Sequence, residues 1–378
     1  MDVRSWLLRR TPIRPLIVTT LGGTDVRLAA ERAARIRAWR PALSPAEANL
    51  LVVAGPGDPL MTPFLDSMWK QIPAPKARIH LDEPAAVETG LASGVDRVHS
   101  ADEQSEAGVD TDHGGHDRIE AGTMAEHGHS QPEHEEHQSM HGTPMAHHEH
   151  AEHMAMSHDH GGHAGHDMSG MEMPGGIPMA DRAPDRDELK LDQLTVPLGP
   201  GLPAWPAGLL IRAKLQGDVI QDATVKVLGD APAGAEPFWA SAKRQPARPL
   251  DSCVRLLTVA GWEDAAATAA RLRDDILMEK DVQSDVTRWA RRVGRSRTLR
   301  WSLTGLGLLD GPQWTDSPLE GDAYDRLMRW TSSNSTKVDP VVILDALPQL
   351  LTGAEFATAR LIVASLDPDL ERLRAADD

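Results

Sequence analysis

Leu50-Leu51-Val52-Val53-Ala54 is an unbroken apolar run stopped by Gly55-Pro56-Gly57. With Asn49 ahead of it, it reads as a strand over residues 49–54. It is too short for a helix, and no position alternates to polar, so the strand must be covered on both faces. Outward from it, Pro15-Leu16-Ile17-Val18-Thr19-Thr20 is a second short strand and Ala77-Arg78-Ile79-His80-Leu81 a third. Between the first two, Gly22-Gly23 turns the chain. Thr24 or Asp25 is placed to cap a helix running to about Trp39, with Val26, Ala29, Ala33, Ile36 and Ala38 on or near one face. After the second strand, Asp58 suits an N-cap and Pro59 a first helical position. Met61, Phe64, Leu65, Met68 and Trp69 follow at i, i+3, i+4, i+7 and i+8, and Pro73 and Pro75 end that helix. Strands alternating with helices predict a small parallel sheet with right-handed crossovers, an α/β domain over residues 1–92. Ligands of such sheets sit at the carboxyl ends of the strands, here the loops at residues 20–24, 55–58 and 82–85. Gly55-Pro56-Gly57 lacks the Lys-Ser/Thr of a phosphate-binding loop.

Residues 93–190 differ in kind. Fifteen of the seventeen histidines fall between residues 113 and 166 of this segment: His113, His116, His127, His129, His134, His137, His141, His147, His148, His150, His153, His158, His160, His163 and His166. Nine of the fourteen methionines lie with them, and residues 101–178 carry a net −15 of the chain's −17. No Phe, Trp or Tyr occurs between Trp69 and Trp205, so the segment buries too little apolar surface to offset ordering entropy and is expected to be a disordered linker without metal. Imidazoles at spacings such as His113-x-x-His116 and His158-x-His160-x-x-His163-x-x-His166 chelate one ion from a flexible chain. Imidazole suits nickel, zinc and copper, and thioethers such as Met154 and Met156 add a preference for Cu(I). A polar spacer and a pH-sensing tract are the alternatives.

Residues 191–378 are expected to form an α+β domain. Gln193-Leu194-Thr195-Val196-Pro197-Leu198 reads as an edge strand. Two alternating runs, residues 209–215 and 219–227, flank Gln216-Gly217-Asp218 as a β-hairpin. A helical bundle follows, with helices expected near residues 251–260, 262–278, 282–293, 322–330, 341–351 and 354–366. Six arginines, Arg288, Arg291, Arg292, Arg295, Arg297 and Arg300, lie beside Trp289 and Trp301. They read as a solvated helix face, as a dock for an acidic partner or anionic lipid, or as a contact for the acidic tract of the same chain.

Other classes are excluded on composition. One cysteine, Cys253, rules out internal disulfides and a cysteine-ligated cluster held by this chain alone. Its apolar neighbours Val254, Leu256 and Leu257 predict a buried, non-catalytic thiol. Outside residues 101–178 the balance is close to neutral, which gives nucleic-acid binding no electrostatic support. No apolar run reaches the length of a membrane span and no signal peptide is evident, so a cytoplasmic protein is expected.

Two stretches carry a family resemblance. Ser44-Pro45-Ala46-Glu47-Ala48-Asn49-Leu50-Leu51-Val52-Val53-Ala54-Gly55, Met61-Thr62-Pro63-Phe64-Leu65 and Trp69-Lys70-Gln71-Ile72-Pro73-Ala74-Pro75-Lys76 together resemble the 20-kDa subunit of respiratory complex I. That subunit is homologous to the small subunit of nickel–iron hydrogenases and implies a flavodoxin-like half. Val196-Pro197-Leu198-Gly199-Pro200-Gly201-Leu202-Pro203-Ala204-Trp205-Pro206-Ala207-Gly208-Leu209 and the hairpin resemble the 49-kDa subunit, homologous to the hydrogenase large subunit. The family's first subunit implies an iron–sulfur cluster held by paired cysteines after the first strand, one cysteine after the third and one further on, in the region that the histidine tract replaces here. Thr19-Thr20-Leu21-Gly22 and Asp82-Glu83-Pro84 stand at the first two places instead, with Glu83 expected to be a solvated loop carboxylate, so no cluster is expected. In the second subunit's Gly-Pro-x-His-Pro-x-x-His-Gly pattern, Leu202 holds the first histidine position and the second falls near Trp205-Pro206. The quinone-site His and Tyr have no evident counterparts. The resemblance therefore implies a redox-inactive fusion of the pair, an accessory or structural subunit of a complex I- or hydrogenase-like assembly, peripheral to the inner face of the membrane. Partners would be the other subunits of that assembly. Nickel, zinc or copper storage or delivery is the alternative, and an oxidoreductase subunit with an NADH–quinone reductase-type role the third reading.

Overall fold

The computed structural model describes residues 3–100, 104, 181–184, 190–229, 236–332 and 338–373. All of them belong to one compact unit, residues 1–114 together with 180–378. The second unit, residues 115–179, lies outside the described residues.

In the first lobe a short helix α1 (Val3–Leu8) precedes β1 (Pro15–Thr19), α2 (Thr24–Ile36), β2 (Leu50–Ala54), α3 (Thr62–Gln71), β3 (Ala77–Leu81) and α4 (Val87–His99). The three strands are parallel in the order β1-β2-β3, with Ile17 opposite Val52 and Val52 opposite Ile79. Alternation along β2 sends Leu50, Val52 and Ala54 to a core shared with Val26 and Ala30 of α2 and Leu91 and Val98 of α4. Leu51 and Val53 face the other way, toward Met61 and Leu65 at the start of α3. All five β2 residues are buried, as the unbroken apolar run required. Because β2 and β3 are added in the same direction while α2 and α3 cover opposite faces, the two crossovers have opposite hands. The expectation of right-handed crossovers throughout is corrected accordingly. The α3 face also receives Leu210 and Leu228 from the second lobe.

Several boundaries differ from the sequence expectation. The second helix stops at Ile36 because Ala38 takes a left-handed φ of 54°. Neither Thr24 nor Asp25 caps it; Gly23 is the N-cap residue, and Asp25 accepts from the Val26 N–H at 2.7 Å. The third helix starts at Thr62, since Asp58 instead turns the chain by accepting from the Leu60 N–H at 2.8 Å. Helix α4 carries the first lobe past residue 92, and the buried Gln104 side chain clips residue 76 through hydrogen bonds to its backbone N–H and C=O.

The second lobe opens with an antiparallel sheet in the order β4 (Asp181–Pro184), β5 (Lys190–Leu198), β6 (Leu209–Gln216) and β7 (Val219–Val227). β5 is not an edge strand over its first half, where residues 190–193 pair with β4. Pro197 falls in the stretch that only β6 pairs, where a missing N–H costs no ladder bond. The hairpin turns at Gly217 and Asp218 as read, with Gly217 at φ 64°. Among the described residues seven α-helices follow: α5 (Arg248–Val259), α6 (Glu263–Leu277), α7 (Gln283–Gly294), α8 (Arg297–Leu303), α9 (Ala323–Thr331), α10 (Pro340–Leu351) and α11 (Phe356–Leu366). α8 was not anticipated. Cys253 is fully buried on α5 among Leu256, Leu257 and Ala269, and burial pushes its thiol far above the ordinary range. No helix among the described residues is long and apolar enough to cross a membrane.

Candidate functional site

The carboxyl ends of the parallel strands, where ligands of such sheets gather, are closed by backbone contact and by the second lobe. The carbonyl of Ala54 accepts from both the backbone N–H and the hydroxyl of Thr20, at 3.0 and 3.3 Å. Gly55 donates to Leu81 O at 2.8 Å, tying the second loop to the end of β3. Gly23 lies so near this junction that a Cβ there would stand 2.2 Å from Ala54 O and 2.6 Å from Gly55 Cα. Gly55 itself has φ 112°, a conformation side chains rarely adopt. His80 Nε2 is 2.7 Å from Gly55 O and 3.2 Å from Asp82 Oδ1, so this ring staples the loop. Glu83 is exposed in its loop, as expected.

Leu21, from the first of these loops, is 3 % exposed and belongs to the second lobe's core with Leu198, Trp205 and Leu209. Trp205 is locked there, its indole N–H donating to Leu209 O at 2.7 Å. Leu202 packs at the margin of the same cluster. Leu210 and Leu228 make the reciprocal insertion into the first lobe. Gly201 and Gly229 permit the approach, since a Cβ on them would meet Met68 Sδ at 2.2 Å and Asp58 Oδ2 at 2.1 Å. Residues 19–24, 55–58 and 82–84 thus present hydroxyl, backbone, carboxylate and apolar groups and no thiolate. That donor set does not fit an iron–sulfur cluster.

Beside this contact runs an ion network that joins the lobes. Arg27 of α2 bonds Asp251 of α5 at 2.7 Å and Glu31 at 2.8 Å. Arg273 of α6, wholly buried, reaches Asp251 at 2.6 Å, Glu31 at 2.9 Å and Asp274 at 3.0 Å. Arg35 pairs with Asp274, and Arg255 lies 3.7 Å from Asp251 and 3.4 Å from Asp367. Burial opposes the charge on Asp251, but Arg27, Arg273 and Arg255 outweigh it and hold this carboxyl far below the usual range. Partial burial likewise opposes the charge on Glu31, and Arg27 and Arg273 hold it low. Asp274 goes the other way: burial prevails over Arg273 and Arg35 and raises it.

A cleft of about 310 Å³ opens along the seam, walled by Pro15, Leu16 and Ile17 of β1, by residues 39–43, by residues 200–205 and by α5 and α6. Its charged lining residues are committed. Arg27, Glu31, Arg35 and Arg255 belong to the network, and Arg40 pairs with Glu263 at 3.3 Å. The lining holds neither His nor Cys, so the cleft offers apolar walls without a free general base or nucleophile.

The fifteen candidate metal ligands, His113 to His166, lie outside the described residues. Among the described residues no group of three His, Cys, Asp or Glu is arranged to hold a metal ion. His99, like His80, holds backbone: its Nε2 is 3.1 Å from Thr11 O. The network escaped the sequence reading, although a trace was present. Arg27 and Glu31 flank the apolar positions of α2, and Asp251 and Arg255 interrupt Leu250, Cys253, Leu256 and Leu257 on α5. Charged pairs at i,i+4 inside apolar stripes mark a buried ionic contact.

The architecture is a three-stranded parallel α/β lobe joined to an antiparallel sheet with helices. Set against protein-family models, curated proteins and solved structures, the chain finds no match in any of the three.

Proposed function

We propose that this chain is a redox-inactive accessory or structural subunit of a complex I- or nickel–iron hydrogenase-like assembly. Its lobes are fused, degenerate relatives of the 20-kDa and 49-kDa subunit pair, joined by a linker that binds transition metals. The observation that carries the reading is the seam. The strand-end loop at residues 19–24, which the resemblance makes a cluster loop, contributes Leu21 as an apolar plug in the other lobe, beside Leu198, Trp205 and Leu209. Plug, reciprocal leucines and ion network together support two lobes that hold each other rather than a redox centre. In this reading the protein sits at the inner, cytoplasmic face of the membrane with the other subunits of its assembly.

A second reading, storage or delivery of nickel, zinc or copper, is favoured by the fifteen imidazoles and nine methionines between His113 and Met179. Mild-detergent affinity purification of the full chain, with mass spectrometry of partners and metal analysis of one eluate, separates the two. Oxidoreductase subunits co-purifying with little metal support the scaffold. A solitary protein carrying several equivalents of metal overturns it in favour of storage or delivery. A visible cluster absorbance in the purified chain would instead revive an NADH–quinone reductase-type oxidoreductase subunit.

A further inference from the structure

Helices α7 and α8, separated by two residues, each turn a basic side to solvent. On α7, Val286, Trp289 and Val293 are buried, while Arg288, Arg291 and Arg292, with Arg295 just past the helix end, recur at i, i+3, i+4 and i+7 on the exposed side. On α8, Leu299 and Leu303 are buried and Arg297, Arg300 and Trp301 are exposed. Two of these arginines are partly neutralised, Arg288 by Asp285 and Arg292 by Asp264, each at 2.7 Å. Arg300 lies over the Tyr324 ring at 5.7 Å and keeps its charge. No carboxylate among the described residues pairs with Arg291, Arg295 or Arg297.

Trp301 is 84 % exposed, the most exposed large apolar side chain among the described residues. Trp301 thus stands in water beside Arg297 and Arg300, which no carboxylate among the described residues pairs. It is the side chain that partitions to the boundary between lipid headgroups and acyl chains. Arginines around it supply the attraction to anionic headgroups that a single aromatic anchor lacks. A protein partner would bury about 800 Å² of this surface around a packed apolar core. This face provides one tryptophan, with Leu308 half-exposed further along the chain. The chain's −17 does not oppose such docking uniformly, because −15 of it resides in residues 101–178.

We propose that the α7–α8 face is a docking surface for an anionic bilayer, with Arg291, Arg295, Arg297 and Arg300 as its electrostatic contacts and Trp301 as its interfacial anchor. This does not rest on the accessory-subunit reading, since a metal-storage protein with this face would dock equally. The test is flotation of the full chain with vesicles of phosphatidylcholine alone and of phosphatidylcholine with phosphatidylglycerol, at low and at physiological salt. Binding is expected only with phosphatidylglycerol, and weaker at higher salt. Arg291→Ala, Arg295→Ala and Arg297→Ala together should lower partitioning by roughly a hundredfold, about fivefold each. Their exposure predicts an unchanged circular dichroism spectrum and unfolding midpoint. Trp301→Phe should remove most of the tryptophan quenching by brominated lipid while phosphatidylglycerol dependence persists. Equal flotation on both vesicle types, or undiminished binding by the triple variant, overturns the proposal. So does a face that ignores vesicles yet binds soluble polyglutamate through the same arginines, which would assign it to an acidic protein.

Discussion

Replacing Asp251 with Asn keeps the size of the side chain and removes one negative charge from the centre of the seam. Asp251 is wholly buried and lies 2.7 Å from Arg27, 2.6 Å from Arg273 and 3.7 Å from Arg255. Removing one partner of a buried ion pair typically costs about 3–5 kcal/mol, because the remaining charge is stranded in a poor solvent. Here no guanidinium is left wholly alone. Arg27 keeps Glu31, Arg273 keeps Glu31 and Asp274, and Arg255 keeps Asp367. The expected loss is therefore near the lower end, about 3 kcal/mol. In urea, with an m-value of ~3 kcal/mol/M for a chain of this size, the midpoint should fall by about 1 M. Arg40→Ala, which breaks the exposed pair with Glu263, is the control and should cost under ~1 kcal/mol.

The same substitution has a pH signature. Asp251 and Glu31 are held below the usual carboxylate range, so their contribution is complete above the unfolded value of about 4. It drains as pH falls from there toward the folded values. Asp274 is raised by burial and acts in the opposite sense, binding a proton more readily in the native state and so gaining stability as pH falls through its folded value. Acid lability of the seam thus rests on the first pair, and Asp251→Asn should flatten the loss of stability below about pH 4. A variant with an unchanged urea midpoint, and an acid limb that overlays the wild type, would refute the claim that this network joins the lobes.

Leu21→Ala removes the plug from the second lobe's core and should cost about 2–4 kcal/mol in equilibrium denaturation, whereas a loop leucine facing water would cost little. Cys253 should resist iodoacetamide in the native protein and react once urea unfolds it, because the thiol is buried and pushed away from the thiolate form. The full chain should take up several equivalents of Ni²⁺ or Zn²⁺ by isothermal titration and release them below about pH 6, where imidazoles protonate. A chain deleted for residues 101–178 should bind almost none, and equal uptake by the two would remove the histidines from the metal-binding account.

What was legible in the sequence was local in origin. An unbroken apolar pentapeptide such as residues 50–54 means a strand covered on both faces wherever it occurs, and alternation around Gly217-Asp218 means a hairpin, because side-chain periods of 2 and 3.6 are properties of neighbouring residues. The burial of Cys253 followed from its immediate neighbours in the same way. Helix starts were less secure, since Asp58 serves a turn as readily as a cap when Pro59 follows it. The seam was decided only in three dimensions. Arg27 and Asp251 are 224 residues apart, and Leu21 finds Trp205 across the whole histidine tract. No periodicity encodes such a pairing. Each partner looks locally like a misplaced charge or an ordinary loop leucine, and its role arises when two lobes exclude water from the same surface and every buried charge must find its opposite there.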